Sequence, residues 1–440
     1  MSCQVQELGV ETSRSSGSLL TEKFFGLELV EHTFCQETGA LINKRILFVF
    51  DMLELGGAER QAMLLARYLR KECGATVEVV GFSHPGALTQ ICEREGFPWH
   101  LVPSSSECST RRLPGSIARF IRHIRRLRPD VLMPYTIHPN VLCGAFWRYT
   151  GASACIWNQR DAHQRSSRRW LERLAIKRTP RFIANSRASA RFLTEVLGAD
   201  SEKVSVVPNG VVLAEPQMTR NEWRSRLGVP ENAVVCCMVA NLTRNKDHRT
   251  LLAAWRLIAN DPELFRQNPT LVLAGRQDET AEELKRMASD LGIADSVHFI
   301  GAVEDVAGLL SACDVGVHSS LSEGCPNSIL EMMVQGLPVV GTDIEGIRDV
   351  LPPESHCLLS APGNHEVLAA RLKELILSGD LRKQYGAANS DYARAHFTPD
   401  VMCERMASII REVILSRRPQ NNRNDQSPDE LMGTGRRNRT

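Results

Sequence analysis

From Arg45 onward the chain alternates short apolar runs with longer amphipathic stretches, and it does so twice. The first pass contains RILFVF, TVEVVGF, PDVLMPY, ACIWN, RFIAN and VSVVPN; the second, after residue 230, contains AVVCCMVAN, PTLVLAG, SVHFIG, DVGVHSS, LPVVGTD and HCLLS. Short runs that are apolar throughout read as strands buried on both faces. Segments such as HRTLLAAWRLIA and AEELKRMASDLG place apolar residues at helical spacing. Strands alternating with helices build parallel sheets covered by helices on both sides. The pattern therefore predicts two doubly wound, Rossmann-like α/β domains in tandem, with ligands bound beyond the carboxyl ends of the strands. Residues 1–43 are polar without clear period and read as an extension. Residues 44–212 form the first domain and residues 213–416 the second, closing on the helical stretch DVMCERMASIIREVIL. Residues 417–440, rich in Arg, Asn, Pro and Gly, are expected to be disordered.

The net charge of +2 hides an asymmetry. Residues 44–212 carry 26 Lys and Arg against 14 Asp and Glu, whereas residues 213–416 carry 19 against 28. Two halves of opposite sign point to an anionic partner for the first. The 13 cysteines include no C-x-x-C pair, and many lie in apolar runs, so they read as reduced core thiols rather than zinc ligands or a redox motif. The apolar runs fall far short of the roughly 18 residues a membrane span needs. Residues 1–18 lack the apolar stretch of a secretory signal. A cytoplasmic protein, free or peripheral on the inner face of the membrane, is the expectation.

Missing motifs narrow the chemistry. No G-x-G-x-x-G follows a strand and no G-x-x-x-x-G-K-[ST] occurs, which disfavours dinucleotide enzymes and P-loop NTPases. D-x-D, the usual carboxylate pair for a metal on a nucleotide diphosphate, is also absent. A pyrophosphate here would be neutralised by basic side chains and helix N-termini, with no metal and no cofactor expected.

Three segments carry candidate chemistry. In SLSEGCPNSILEMMVQGLPVVGTDIEG, residues 320–346, Gly324 and Pro326 lead into a short helix over about 327–335 that Gly336 ends. The N–H groups of Asn327, Ser328 and Ile329 would be free to grip a phosphate, with Glu323 at the sugar and Glu331 at the ribose hydroxyls. In MVANLTRNKDHRTLLAAW, residues 238–255, a strand runs into a loop bearing Asn241, Arg244 and Lys246. Arg as a fork and Lys as a point charge suit a diphosphate, and they would offset the charge of the leaving group. In VFDMLELGGAERQAMLLARYL, residues 49–69, Gly56 and Gly57 open a helix where a ligand can approach the backbone.

With these residues in view, the chain resembles the retaining glycosyltransferases of GT-B fold in family 4, also called glycosyl transferases group 1. The match covers about residues 45–416. It runs through Gly56-Gly57-Ala58-Glu59, Val207-Pro208-Asn209-Gly210-Val211, Lys246, Glu323-Gly324-Cys325-Pro326-Asn327 to Glu331, and Pro338-Val339-Val340-Gly341-Thr342-Asp343. The resemblance implies two Rossmann-like domains facing across a cleft, the second binding a nucleotide-sugar and the first the acceptor. It implies retention of anomeric configuration, no metal, and a last helix that crosses back onto the first domain. Three departures stand out. Asn241 occupies a position where many relatives carry Arg, and Arg244 is the nearest substitute. The string Ile344 to Asp349 replaces G-G-x-x-E. The loop after ACIWN, Asn158 to His163, puts Arg160 or Asp161 where many relatives have His, with His138 in the neighbouring loop as an alternative acceptor-side residue.

Two basic stripes lie in the first half. RRLPGSIARFIRHIRRLR (111–128) sets Leu113, Ile117, Phe120, Ile124 and Leu127 on one helical face, with Arg119, Arg122, Arg125 and Arg126 largely off it. RSSRRWLERLAIKR (165–178) gathers Arg165, Arg168, Arg169, Lys177 and Arg178 beside Trp170. Either suits a solvated face or docking on anionic lipid, which a lipid-linked or polysaccharide-type acceptor would make useful. No nucleic-acid motif accompanies the charge. The expected activity is transfer from a nucleotide-sugar. A nucleotide-sugar 2-epimerase, or a non-catalytic binder on the same fold, are the alternatives the residues leave open.

Overall fold

The computed structural model describes residues 38–102, 113–161 and 165–416. The sequence readings for residues 1–37, for the tail 417–440, and for Arg111, Arg112 and His163 fall outside the described residues. Among the described residues, thirteen strands form two sheets. The first contains β1 Arg45–Phe50, β2 Thr76–Gly81, β3 Trp99–Leu101, β4 Val131–Pro134, β5 Ala154–Gln159, β6 Arg181–Ala184 and β7 Val204–Val206. Its order is β3-β2-β1-β4-β5-β6-β7, and every pairing is parallel. The second contains β8 Val235–Val239, β9 Thr270–Ala274, β10 Val297–Gly301, β11 Val315–His318, β12 Val339–Thr342 and β13 Leu359–Ser360, in the parallel order β10-β9-β8-β11-β12-β13. The two-domain α/β expectation holds. One strand escapes the sequence pattern: β3 is three residues long, follows Pro98 and has His100 at its centre, so it shows no apolar run.

Each sheet is filled on both faces. In β8, Cys236 and Met238 pack with Leu251, Leu252 and Trp255 of the helix His248–Ala259, while Val235 and Cys237 pack with Ile329, Leu330, Met332 and Met333 of the helix Asn327–Val334. Successive side chains on a strand serve opposite faces, which is why these strands read as unbroken apolar runs. Trp255 is fully buried and its indole N–H donates to Ser296 Oγ at 3.1 Å. Nine of the ten free cysteines among the described residues are buried in these cores. Burial pushes thiols such as Cys155 above the ordinary range, so they behave as small apolar groups.

The helix Pro399–Leu415 starts with Thr398 as its cap, whose hydroxyl accepts from the Val401 N–H at 3.3 Å, and Pro399 at its first position. It buries Met402, Cys403, Met406, Ala407 and Ile410 in the core of the first sheet, against the helix Gly57–Lys71. The chain thus returns to the first sheet after building the second. The connecting VPNGV segment packs there too. Val211 N–H donates to the Phe397 carbonyl at 2.8 Å, and a Cβ on Gly210 would lie 2.7 Å from Pro399 Cα. Leu41, in the 3₁₀ turn Thr38–Leu41, is fully buried in the same core.

Candidate functional site

In a doubly wound sheet the strand order reverses at one point, and the loops leaving the two strands there diverge to open a crevice. In the second sheet that point lies between β8 and β11. The loop after β8 ends in the 3₁₀ turn Arg244–Lys246, fixed by Asp247 in a left-handed conformation (φ 47°) that starts the next helix. The loop after β11 is tied to it: Leu321 N–H donates to the Asn245 carbonyl at 2.8 Å, Asn245 Nδ2 to the Ser322 carbonyl at 2.8 Å, and Ser319 Oγ to the Lys246 carbonyl at 3.0 Å. These ties bring Lys246 and Glu323, 77 residues apart in sequence, into a direct ion pair.

Three donors converge on one oxygen of Glu323. Oε1 accepts from Lys246 Nζ, from His318 Nε2 at 2.8 Å and from Ser320 Oγ at 2.5 Å. Oε2 has no protein donor among the described residues. Burial alone would raise the Glu323 carboxyl, but the His318 hydrogen bond and the positive charge of Lys246 override it and hold the group well below the usual carboxylate range. The site keeps a largely buried, ionised carboxylate beside a lysine, and a carboxylate in this state accepts strong hydrogen bonds from hydroxyls.

The helix Asn327–Val334 opens directly after this carboxylate, and Pro326 at its start offers no side-chain cap. One sequence expectation is corrected here. The Ile329 N–H turns back to the Pro326 carbonyl at 3.1 Å, as 3₁₀ first turns do, so it is not free for a phosphate. The N–H groups of Asn327 and Ser328 have no acceptor among the described residues. Gly336, at φ 80°, ends the helix, with the Leu337 N–H closing on the Met332 carbonyl at 3.0 Å. Glu331 is partly buried one turn in, and no protein donor among the described residues reaches its carboxylate. Burial pushes it up to about 7, opposed by the charge of Arg60 from the first domain.

The first sheet reverses between β1 and β4. The loops there hold Asp51, whose Oδ1 lies 2.9 Å from His138 Nδ1, and His138 also sits edge-on to Phe82 at 5.2 Å. Thr136 lies at φ 65°, a strained conformation for a β-branched residue. Gly56 caps the helix Gly57–Lys71, and its N–H donates to Glu59 Oε2 at 3.0 Å. The chain therefore supplies its own anion at this helix start. Burial raises the Glu59 carboxyl, partly offset by the backbone hydrogen bonds and the charge of Arg160.

The two crevices meet. A Cβ on Gly57 would lie 3.1 Å from Asn327 Nδ2, and one on Gly324 would lie 2.7 Å from Asn185 Oδ1 and 2.9 Å from the Arg160 carbonyl. Asn209, from the VPNGV connection, donates to Asn327 Oδ1 at 2.7 Å and to the Cys325 carbonyl at 3.0 Å, and it accepts from Arg160 Nη1 at 3.0 Å. Gln61 reaches Asn327 Oδ1 at 3.4 Å and is held by two hydrogen bonds with the Gly210 backbone. Arg160 Nε and Nη2 are buried without a hydrogen-bond acceptor among the described residues, and the guanidinium lies 5.3 Å over the Tyr135 ring. Buried donors are normally paired, so a guanidinium edge in this state is suited to an incoming oxygen ligand.

Of the sequence candidates, the structure gathers Lys246, Glu323, Gly324, Pro326, Asn327, Ser328, Gly57 and Arg160 around one crevice. Arg244 is exposed; its backbone N–H donates to Glu279 Oε1 at 3.3 Å and its carbonyl accepts from the Asp247 N–H at 3.2 Å. Asn241 commits its side-chain oxygen to the Arg276 N–H at 3.1 Å, which shapes the floor of the loop rather than reaching a ligand through that atom. The Asp161 carbonyl accepts from Gln159 Nε2 at 2.8 Å. The second basic stripe is largely consumed by the fold: Arg165 and Arg169 neutralise buried Glu172 at 2.7 and 3.5 Å, and Arg178 Nη1 donates to the Ala145 carbonyl at 2.9 Å. The first stripe behaves as read. Phe120 and Ile124 are fully buried, and Arg119, Arg122, Arg125 and Arg126 are exposed. Sequence reasoning missed His318, Ser320, Gln61 and Asn185. Only His318 carried a signal, a histidine closing an otherwise apolar strand.

A family model described as Glycosyltransferase Family 4 matches residues 55–215, and one described as Glycosyl transferases group 1 matches residues 219–391. The chain is 35% identical over 184 residues to D-inositol 3-phosphate glycosyltransferase of Geodermatophilus obscurus, covering 40% of this chain and 41% of that protein. It is 30% identical over 182 residues to the UDP-Gal:alpha-D-GlcNAc-diphosphoundecaprenol alpha-1,3-galactosyltransferase of Escherichia coli, covering 40% and 46%. The matched stretch thus spans under half the length of either relative. Among solved structures, Anabaena HepE in complex with UDP and glucose aligns with a TM-score of 0.73 at 22% identity, over 84% of this chain and 100% of that one. WaaG, a glycosyltransferase involved in lipopolysaccharide biosynthesis, aligns with a TM-score of 0.64 at 20% identity, over 83% and 99%. At these identities the likeness establishes the GT-B fold.

Proposed function

The chain belongs to the family 4, group 1 glycosyltransferases of GT-B fold, and from that premise we propose that it moves a sugar from a nucleotide diphosphate donor to a lipid-linked or polysaccharide-type acceptor, with retention of configuration. The observation that carries this reading is the Lys246–Glu323 pair at the reversal point of the second sheet, set beside the unoccupied N–H groups of Asn327 and Ser328. On binding, the diphosphate takes the Lys246 ammonium and the helix start, whose charges offset the leaving group as it departs. Glu323 Oε2 receives a sugar hydroxyl, and Glu331 the ribose. Arg244, exposed on the same loop, is a second cation within the reach of a flexible arginine. The donor's own leaving oxygen takes the proton of the acceptor hydroxyl, so no separate general base is assigned. Positive side chains and a helix start suffice for the diphosphate in this reading, without a metal ion or a cofactor.

Arg160, with two buried donors that meet no acceptor among the described residues, and the Asp51–His138 pair form the acceptor side, with Asp161 at its margin. A lipid-linked acceptor draws support from the name of the E. coli relative, which acts on a sugar carried by diphosphoundecaprenol. No described helix is long and apolar enough to cross a membrane. The exposed arginines of the helix Leu113–Arg126, with exposed Tyr149 on the 3₁₀ turn packed against it, supply a face for an anionic membrane surface at about 1 kcal/mol per basic residue. Pelleting with anionic vesicles in low salt, and release in high salt, is the expected result; binding that ignores salt refutes this part.

The central test is Lys246→Ala. Thermal-shift screening against UDP, GDP and ADP and their sugars first identifies the donor, since a ligand that binds only the native state raises its stability by mass action. The variant is expected to lose transfer by about 10²–10³-fold, the cost of deleting one preorganised charge at a developing anion, while staying folded. Normal transfer by the variant removes the phosphate assignment.

A further inference from the structure

His318 is fully buried at the carboxyl end of β11, and nothing in its strand position calls for a polar side chain there. Its ring is engaged at both ends. Nε2 lies 2.8 Å from Glu323 Oε1 and 3.0 Å from Ser320 Oγ, and Nδ1 lies 3.4 Å from Ser328 Oγ. A carboxylate facing Nε2 puts the ring proton on that nitrogen, which leaves Nδ1 to accept from the Ser328 hydroxyl. We propose that His318 is a positioning residue for Glu323: its Nε2–H pins Oε1 so that Oε2 is presented to a hydroxyl of the transferred sugar. This rests on the reading above that Glu323 serves the donor sugar.

The argument is one of competition among donors. Lys246 must share its three N–H donors between Glu323 and an arriving diphosphate, which weakens its hold on the carboxylate. Ser320 holds its carboxylate contact through a rotatable hydroxyl. His318 alone combines a rigid ring, complete burial and anchors on two sides, so it keeps Glu323 in place while Lys246 turns to phosphate. The charged and titratable groups facing the ring are Glu323, Lys246 and buried His248. Burial holds the imidazole below its ordinary range despite the opposing pull of Glu323, in keeping with a neutral donor rather than a second cation. Ser328 extends the chain of contacts to the helix start that would hold the phosphate. The sugar-facing carboxylate and the phosphate-facing helix are therefore aligned through one ring.

The test compares the affinity for a nucleotide-sugar with that for the bare nucleotide, by calorimetry on the full chain. The pairs are UDP-glucose with UDP and GDP-mannose with GDP, taking whichever the parent binds. In His318→Phe, which keeps the shape and loses the donor, the sugar-bearing ligand is expected to weaken about tenfold or more, as for loss of a hydrogen bond to a charged group. The bare nucleotide is expected to stay within about twofold, as it does not reach Oε2. His318→Gln, whose amide reaches the place of Nε2, restores the preference, and His318→Asn, too short to do so, does not. If Phe disrupts folding, the Gln and Asn variants carry the comparison alone. Equal loss for both ligands makes His318 merely structural, and no loss for either makes it idle; each overturns the proposal. Glu323→Gln separates it from the premise. If that variant keeps the full preference for the sugar, or the parent binds neither pair, the assignment of Glu323 falls and the proposal with it; if the preference is lost there but kept in His318→Phe, only the proposal falls.

Discussion

Glu331 sits one turn into the helix Asn327–Val334 with its carboxyl pushed up to about 7 by burial, against an ordinary value of 4.5. Because the folded state keeps the proton where the unfolded chain has already lost it, the folded state binds more protons between those two values. Stability at this site therefore falls as pH rises from about 4.5 to 7, and the penalty is complete above 7. A rise of that size corresponds to at most ~3 kcal/mol. Glu331 keeps part of its surface in solvent, and solvent screening reduces this to about 1–2 kcal/mol. Replacing it by Gln keeps the shape and removes the charge. For a domain near 200 residues each kcal/mol moves the midpoint by about 2–4 °C. The Gln variant should melt about 2–8 °C above the parent at pH 8 and close to it at pH 5, read by paired differential scanning fluorimetry without ligand. The same variant should lose the pH dependence of donor binding. Ribose hydroxyls donate more strongly to the ionised form, so the parent weakens as pH drops below 7. UDP-glucose is the suitable probe, because its diphosphate is a diester and does not titrate near neutrality. A Gln variant that gains no more at pH 8 than at pH 5 would show that the carboxyl is not desolvated, and the placement of Glu331 against the ribose would lose its physical basis.

Two glycines give sharper tests, because a single methyl group meets backbone. In Gly346→Ala the Cβ would stand 2.3 Å from the Glu323 carbonyl oxygen and 2.5 Å from that of Gly324, so the loop after β11 must move. The expected result is loss of nucleotide-sugar binding with a lowered melting point, and unchanged binding would mean the loop is not held where the structure puts it. In Gly324→Ala the clash is with Asn185 and the Arg160 carbonyl across the crevice, at 2.7 and 2.9 Å. Here nucleotide binding should survive on the second domain while transfer falls by about 10²-fold, the cost expected for a displacement near 1 Å between reacting partners. Equal transfer by parent and variant would show that the crevice does not close on this contact.

The architecture was legible because burial on both faces leaves a strand no polar positions. β8 and β9 announce themselves as VCCMV and TLVLA, and the helix His248–Ala259 follows the range its apolar spacing predicts. β3 was not legible, because Trp99–Leu101 follows Pro98 and has His100 at its centre, whereas the equally short edge strand β7 runs on into Val207 and so shows an apolar run. Glycine at the close of a helix was equally readable: Gly336 takes a positive φ that other residues resist, and the chain turns there. The basic stripe at 165–178 misled because charge composition does not say which cations the fold itself needs. Glu172, fully enclosed, claims two of them.

The site shows the same limit at finer scale. Types and spacing named Lys246 and Glu323 from two separate segments, since each is intelligible alone as a group for a phosphate or a sugar. What no spacing reveals is which oxygen of Glu323 is already taken. That depends on the register of β11 against β8, which brings His318 to the sheet edge beside the Lys246 loop, and on Ser320 turning its hydroxyl inward. With Lys246, His318 and Ser320 all on Oε1, the carboxylate has one free acceptor and one orientation. A group so constrained discriminates between sugars by where their hydroxyls fall, because a hydroxyl moved to the other face of the ring finds no second oxygen to meet. Selectivity for the donor sugar would then arise from donors that never touch it. This is why it leaves no motif in the sequence beyond one histidine at the end of a strand.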